Sequence, residues 1–153
     1  MSNKEDIFAP LNGISNSVSQ AKDEVFAMKM LGDGVIISPA SNTNTIIKSP
    51  VNGVIQSTHD SKHAIGILSE KGNEILIHVG IDTVKLKGVG FKQLIEIGQS
   101  VKIGEALLEV DFDYIAKNAP SSDVIVIITN LEEQVIDISS GNVNHESVII
   151  KIK

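Results

Sequence analysis

The sequence predicts an all-β protein, a single antiparallel β-sandwich or barrel-like domain with one or two short helical segments. Three observations predict it. Short runs rich in Ile and Val recur along most of the chain. Gly, Asn, Asp and Ser separate them, as tight turns require. Two related segments, "APLNGIS" (9–15) and "SPVNGVI" (49–55), each place Pro and Asn-Gly before an apolar run, the pattern of a turn leading into a strand. They are either two ordinary turns or the trace of a duplication, and both readings support a β fold.

The elements follow in order. Residues 1–6 are polar and expected to be flexible, with 7–153 forming the domain. Strands are expected at "GVIIS" (34–38), "NTIIK" (44–48), "GVIQS" (53–57), "HAIGILS" (63–69), "EILIHV" (74–79) and "TVKLK" (83–87). Others are expected at "SVKIG" (100–104), "EALLEV" (105–110), "DVIVIIT" (123–129) and "SVIIKIK" (147–153). "FKQLIEI" (91–97) sets Phe91, Leu94 and Ile95 on one helical face. "DFDYIAKNA" (111–119) has acidic residues at its start, Lys117 near its end and Pro120 to stop it.

The chain has 153 residues, 42% of them hydrophobic, which suits one domain with a sizeable core. It has no cysteine, so disulfides, thiolate metal sites and a cysteine nucleophile are excluded. A net charge of −6 argues against nucleic-acid binding and would suit a basic protein partner, although mild acidity is common. The N-terminal stretch has no secretory pattern, and no apolar run has membrane-spanning length. The expectation is a cytoplasmic protein without membrane insertion. No helical or strand-edge interface points beyond a monomer.

"EILIHVGIDTV" (74–84) sets His78 in the middle of an apolar, β-branched run. Together with "HAIGILSEKGN" it reads as a hairpin. With Lys71 and Gly72 as a two-residue loop, Ile65 lies opposite His78 and His63 opposite Gly80. His63 and His78 then share a face as diagonal neighbours, roughly 7–8 Å apart at Cα. A slip of one residue would part them. Two imidazoles are an incomplete zinc site, with Asp82 a candidate third ligand. Geometry alone leaves phosphoryl chemistry and metal binding open. Gly80 permits close backbone approach, and a carbonyl there could hold one ring N–H and fix the tautomer.

The blocks "GDGVII", "SPVNGVI", "KHAIGI", "EILIHVGIDTVKLKGVGF" and "GQSVKIGEALLEVD" resemble the glucose-type IIA component of the bacterial phosphoenolpyruvate-dependent sugar phosphotransferase system. The resemblance runs from about Phe8 to the C-terminal end, so residues 7–153 would be a IIA domain. It implies a β-sandwich with a shallow apolar depression where two histidines meet. His78 would accept the phosphoryl group and His63 would support transfer. Ser61 would supply a supporting hydroxyl, the Gly80 carbonyl would hold the active imidazole, and Asp33 and Asp82 would meet an arginine of the donor. The implied donor is the phosphocarrier protein HPr, and the implied acceptor is a cysteine on the IIB domain of a sugar permease. No cofactor is implied, and the absence of a Walker-type loop argues against ATP as direct donor.

The chain departs from the family at His59 and Val79, where an aromatic residue often stands at the partner-facing rim. His59 reads as a solvated loop histidine, with a third imidazole near the site as the alternative, and His145 as a surface turn residue. Two readings from other classes remain. "AMKM" (27–30) matches a biotin-attachment motif at Lys29, although no matching strand pair precedes it. His63 and His78 could instead serve a zinc-dependent binding module.

Overall fold

The computed structural model describes residues 4–153. In chain order the strands are β1 (Glu5–Phe8), β2 (Gly13–Ser17), β3 (Asp33–Pro39), β4 (Asn44–Lys48), β5 (Gly53–Thr58), β6 (Ala64–Ser69) and β7 (Glu74–Ile81). They continue as β8 (Phe91–Gln93), β9 (Ser100–Val101), β10 (Ala106–Asp111), β11 (Ser121–Ile128), β12 (Ile136–Ile138), β13 (Gly141–Val143) and β14 (Val148–Ile152). Two short α-helices are present, α1 (Glu24–Ala27) and α2 (Phe112–Asn118). An eight-stranded sheet runs β13-β2-β3-β11-β7-β6-β5-β9, and two three-stranded sheets run β4-β10-β8 and β1-β14-β12. The paired strands are antiparallel, for example β11 with β3 and with β7.

The large sheet has a different neighbour on each face. Val35, Ile37, Ile75, Ile77, Val79, Val124 and Val126 share the main core with Ile47, Leu108, Val110 and Ile150 of the small sheets. On the other face Ile36, Ile125 and Ile127 pack with Val18 and Phe26 in a separate, smaller cluster. Strand β11 is therefore covered on both sides. Residues Val124 to Ile128 are all fully buried, which explains a continuous apolar run rather than an alternating one. Each such side chain contributes about 1.5–3 kcal/mol of transfer free energy.

The two Pro…Asn-Gly segments occupy equivalent places. Phe8 N–H donates to Pro50 O and Lys48 N–H to Pro10 O, so the segments pair with one another. Asn12 O accepts from Ala40 N–H as Asn52 O accepts from Glu70 N–H. A Cβ at Gly13 would lie 2.1 Å from Ser38 O, and one at Gly53 2.3 Å from Leu68 O. Close backbone approach thus requires the glycine in both copies.

Several expectations need correction. Residues 1–3 lie outside the described part, but Glu5 and Asp6 belong to β1, paired with β14. The Glu5 carboxylate accepts from Ser69 Oγ (2.6 Å) and Asn73 Nδ2 (2.9 Å), which orders this polar stretch. The strand expected at 83–87 is a 3₁₀ turn, Thr83–Leu86, bracketed by left-handed residues Asp82 (φ 57°) and Lys87 (φ 54°). Thr83 Oγ1 also donates to Val79 O at 2.6 Å and pulls the turn back onto β7. The helix expected at 91–97 is strand β8 followed by a turn. Phe91 and Ile95 are buried as a helical face would bury them, but Phe91–Gln93 pairs with β10. The helix expected at 111–119 is α2, capped where Asp111 Oδ1 accepts from Tyr114 N–H (3.1 Å). Strands β12 and β13 and helix α1 were not expected; each has only three or four residues, too few to show a period.

Candidate functional site

Strand β7 carries His78 between β6 and β11, opposite Ala64 on one side and Ile125 on the other. Its side chain lies on the sheet face that α1 covers. The Phe26 ring stands 5.0 Å from the imidazole, tilted by 57°. The pleat then breaks. Gly80 has φ 75°, the pairing with β11 shifts there, and Ile81 joins the small cluster instead of the main core. A Cβ at Gly80 would lie 2.5 Å from Thr83 Cγ2 and 2.9 Å from Ser121 O, so both backbone angle and space demand glycine.

His63 and His78 converge, with ring centroids 4.8 Å apart and planes at 82°. The register that brings them together is not the expected one. The hairpin pairs Leu68 with Glu74 and Ala64 with His78, one step from the expected register. The cause is the turn. Ser69 N–H donates to Asn73 O, and Glu70-Lys71-Gly72 form a three-residue loop with Gly72 at φ 87°. Val79 N–H donates to His63 O, so simple strand alternation would send His63 to the opposite face from His78. But His63 precedes β6 and follows Lys62, whose φ is 64°. Alternation does not extend into that bend, and the ring reaches His78 around the strand end.

Burial dominates the electrostatics. His63 is 5% exposed, and its pKa falls to about 4, through desolvation first and then repulsion from His78 and His59. The Ser61 backbone carbonyl pulls the other way. Burial also lowers the pKa of His78, opposed by the Gly80 carbonyl and the Asp23 carboxylate, with His59 adding to the fall. Both rings are therefore neutral at pH 7. In each it is Nδ1 that is buried without a partner meeting hydrogen-bond geometry, so the Gly80 and Ser61 carbonyls act here as nearby dipoles rather than as closed hydrogen bonds.

The remaining expected residues fall as follows. Ser61 touches the site through its backbone: its N–H donates to His59 Nδ1 at 3.0 Å, and its carbonyl faces His63. Asp33 starts β3, accepts from Gly34 N–H at 2.8 Å and lies 3.5 Å from Lys29 Nζ. Asp82 is exposed and lies 3.9 Å from Lys85 Nζ. Exposed Val25, Met28, Met30 and Leu31 follow one another on the segment around α1, and exposed Val84 follows Asp82. His145 sits in an exposed turn.

One reading is refined and one changes. His59 is exposed, as a loop histidine would be, and its ring also lies 4.6 Å from that of His63, beside the pair. Val79 is not at a rim; it is fully buried in the main core. Two further residues had no mark in the sequence. Asp23 caps α1, accepting from Val25 N–H at 2.8 Å, and also bears on His78. Phe26 supplies the ring against His78. Lys29, the residue of the biotin-like motif, lies just after α1 and is ion-paired to Asp33, not at the tip of a hairpin. Among the described residues, no group of three or more His, Cys, Asp or Glu side chains is arranged to hold a metal ion. A cleft of about 670 Å³ lies away from the histidines, beside Glu5, Lys71 and Lys151.

This all-β scaffold is shared with a solved sugar-transport component. The glucose permease IIA from Mycoplasma capricolum superposes with a TM-score of 0.91 and 36% identity, over 98% of this chain and 96% of that one. The class is therefore that of the phosphotransferase-system relay proteins. The chain belongs to the phosphoenolpyruvate-dependent sugar phosphotransferase system EIIA 1 family, whose pattern matches residues 5–134. Glucose-specific EIIA components from Bacillus cereus and Buchnera aphidicola are 44% and 42% identical to it. Those matches cover 85% and 97% of this chain, and 77% and 91% of the relatives. A glucose-specific EIICBA component from Staphylococcus saprophyticus is 43% identical over 96% of this chain, which spans only 21% of that protein's length. Among the described residues no helix is long and apolar enough to cross a membrane.

Proposed function

We propose that this chain is a cytoplasmic phosphoryl carrier that takes a phosphoryl group from the phosphohistidine of HPr onto His78 and passes it to a cysteine of a permease IIB domain. The contact between two neutral imidazoles, 4.8 Å apart, is the observation that carries this reading. A nucleophilic ring must be unprotonated, and the lowered pKa of His78 keeps it so at pH 7. Nδ1 is its buried nitrogen, so attack falls to Nε2. As the Nε2–P bond forms, the P–N bond to the donor imidazole breaks and its electron pair returns to that ring. In onward transfer a thiolate forms the S–P bond while the Nε2–P bond breaks. His63 steadies the phosphoryl oxygens by hydrogen bonding, and Asp33 and Asp82 meet a basic donor surface.

An open site would suit this chemistry. Transfer between side chains of two proteins depends on positioning and charge stabilisation, and an enclosing pocket would block docking. The EIICBA name of the Staphylococcus relative favours a permease as the acceptor. The test is phosphorylation of the purified chain from phosphoenolpyruvate through the two general upstream proteins. Acid-labile phosphate on His78 is expected. A chain that stays unphosphorylated, or is labelled elsewhere, would overturn the reading.

A further inference from the structure

The 59–62 turn holds one imidazole that the relay described above does not use. His59 is fixed twice. Its carbonyl accepts from Lys62 N–H at 2.8 Å, closing the turn, and its Nδ1 accepts from Ser61 N–H at 3.0 Å. With the Nδ1 lone pair engaged, the neutral ring carries its proton on Nε2. The ring leans on His63 at 4.6 Å, and His63 leans on His78 at 4.8 Å, so the three imidazoles form a row. His59 is the exposed end of that row, and it acts electrostatically on both of the others. Its neighbours Asp60 and Lys62 are exposed and of opposite charge, and neither side chain is hydrogen-bonded to the ring.

We propose that His59 is a third working imidazole, whose Nε2–H donates a hydrogen bond to an oxygen of the phosphoryl group carried on His78. The inference rests on the phosphoryl-carrier reading. With Nδ1 of His78 buried, a phosphoryl group would sit on Nε2, and it would meet buried His63 on one side and exposed His59 on the other. A purely packing role would need only a ring at position 59. The Ser61 N–H contact does more, because it selects the tautomer that presents a donor on the exposed side.

Three variants separate donor from ring and clamp. His59→Phe keeps the ring and removes the N–H. His59→Asn keeps an acceptor for Ser61 N–H but cannot reach the phosphoryl group. His59→Gln restores a distal N–H. Each protein is phosphorylated from phosphoenolpyruvate through the upstream proteins and chased with a IIB domain. Onward transfer should fall about tenfold in His59→Phe and His59→Asn, less than for a fully buried donor, and recover in large part in His59→Gln. The second readout is the NMR titration of His59 before and after phosphorylation. A nearby dianion should raise its pKa. Phosphate on His78 with an unmoved His59 titration, or with wild-type transfer in His59→Phe, would overturn this inference alone. A wild-type chain that accepts no phosphate would overturn the carrier reading and this inference with it.

Discussion

The two flanks of the site are built by opposite means. On one, His78 stands in mid-strand, held by ladders to β6 and β11 and ended by a glycine that only one backbone angle suits. On the other, His59 and His63 stand at the two ends of the five-residue connection between β5 and β6, placed by Lys62 at φ 64° and by hydrogen bonds within the 59–62 turn. The first flank is rigid and leaves marks in sequence. The second depends on local turn geometry and leaves few. In the proposed relay, the pairing of a fixed nucleophile with supporting groups on a turn follows from the chemistry. The attacked nitrogen must be placed once, while the supporting donors must accommodate a phosphoryl group that arrives and leaves.

The largest effects are expected at the histidines themselves. His78→Ala should abolish acid-labile phosphate, because the nucleophile is gone. Phosphate retained on His63 or His59 in that variant would reverse the roles of the two flanks. His63→Gln should still be phosphorylated, since the glutamine amide can donate a hydrogen bond. Its discharge to a IIB domain should slow by about two to three decades, the usual loss for one such donor. Equal loss in both half-reactions would show that the turn flank is needed for acceptance as well as for release.

Gly80→Ala tests the rigid flank. Alanine at φ 75° costs about 1–3 kcal/mol in backbone strain, and its Cβ would meet Thr83 Cγ2 and Ser121 O. The midpoint of denaturant unfolding should fall accordingly. An unchanged midpoint would mean that the break in the pleat does not need glycine.

Those marks explain what could be read from sequence. The strand period around His78 and the family blocks gave the fold class and both histidines. The hairpin register differs from the one a two-residue loop predicts because Gly72 closes a three-residue loop. The rings meet nonetheless, for a reason no alternation rule contains: a left-handed lysine ahead of β6. His59 joins the site through a turn, and Asp23 and Phe26 through a four-residue helix, so none of them lies on a period that sequence analysis can follow. The family resemblance implies a rim position for Val79, whereas its strand position predicts the burial observed beside Ile75 and Ile77.

Acid should act on the buried histidines through stability. A buried imidazole whose folded pKa lies below its unfolded value of about 6.5 binds fewer protons in the native state. Stability should therefore fall as pH drops below about 6.5, and for His63 the fall should continue to about pH 4. Unfolding should take up about one proton from this group within that window. Thermal unfolding of the wild type and His63→Gln across pH 4–7 checks this: the variant should lose less stability on acidification. Parallel curves would mean that His78 and the carboxylates account for the whole slope.

The smallest effect is expected at the rim, where charge acts without fixed contacts. Asp33 and Asp82 stand on different elements, β3 and the turn after β7. Each already has a lysine within salt-bridge distance, Lys29 at 3.5 Å and Lys85 at 3.9 Å. Such exposed pairs contribute little to stability, so Asp33→Lys and Asp82→Lys should fold normally. Their effect should fall on encounter with a basic donor, slowing phosphorylation a few-fold at low salt and less as the salt concentration rises. Transfer rates at two ionic strengths separate steering from chemistry. A loss that persisted at high salt would mean that a carboxylate makes a close contact with the donor. No loss at low salt with both charges reversed would remove them from the docking surface and leave the apolar side chains around α1 to define it.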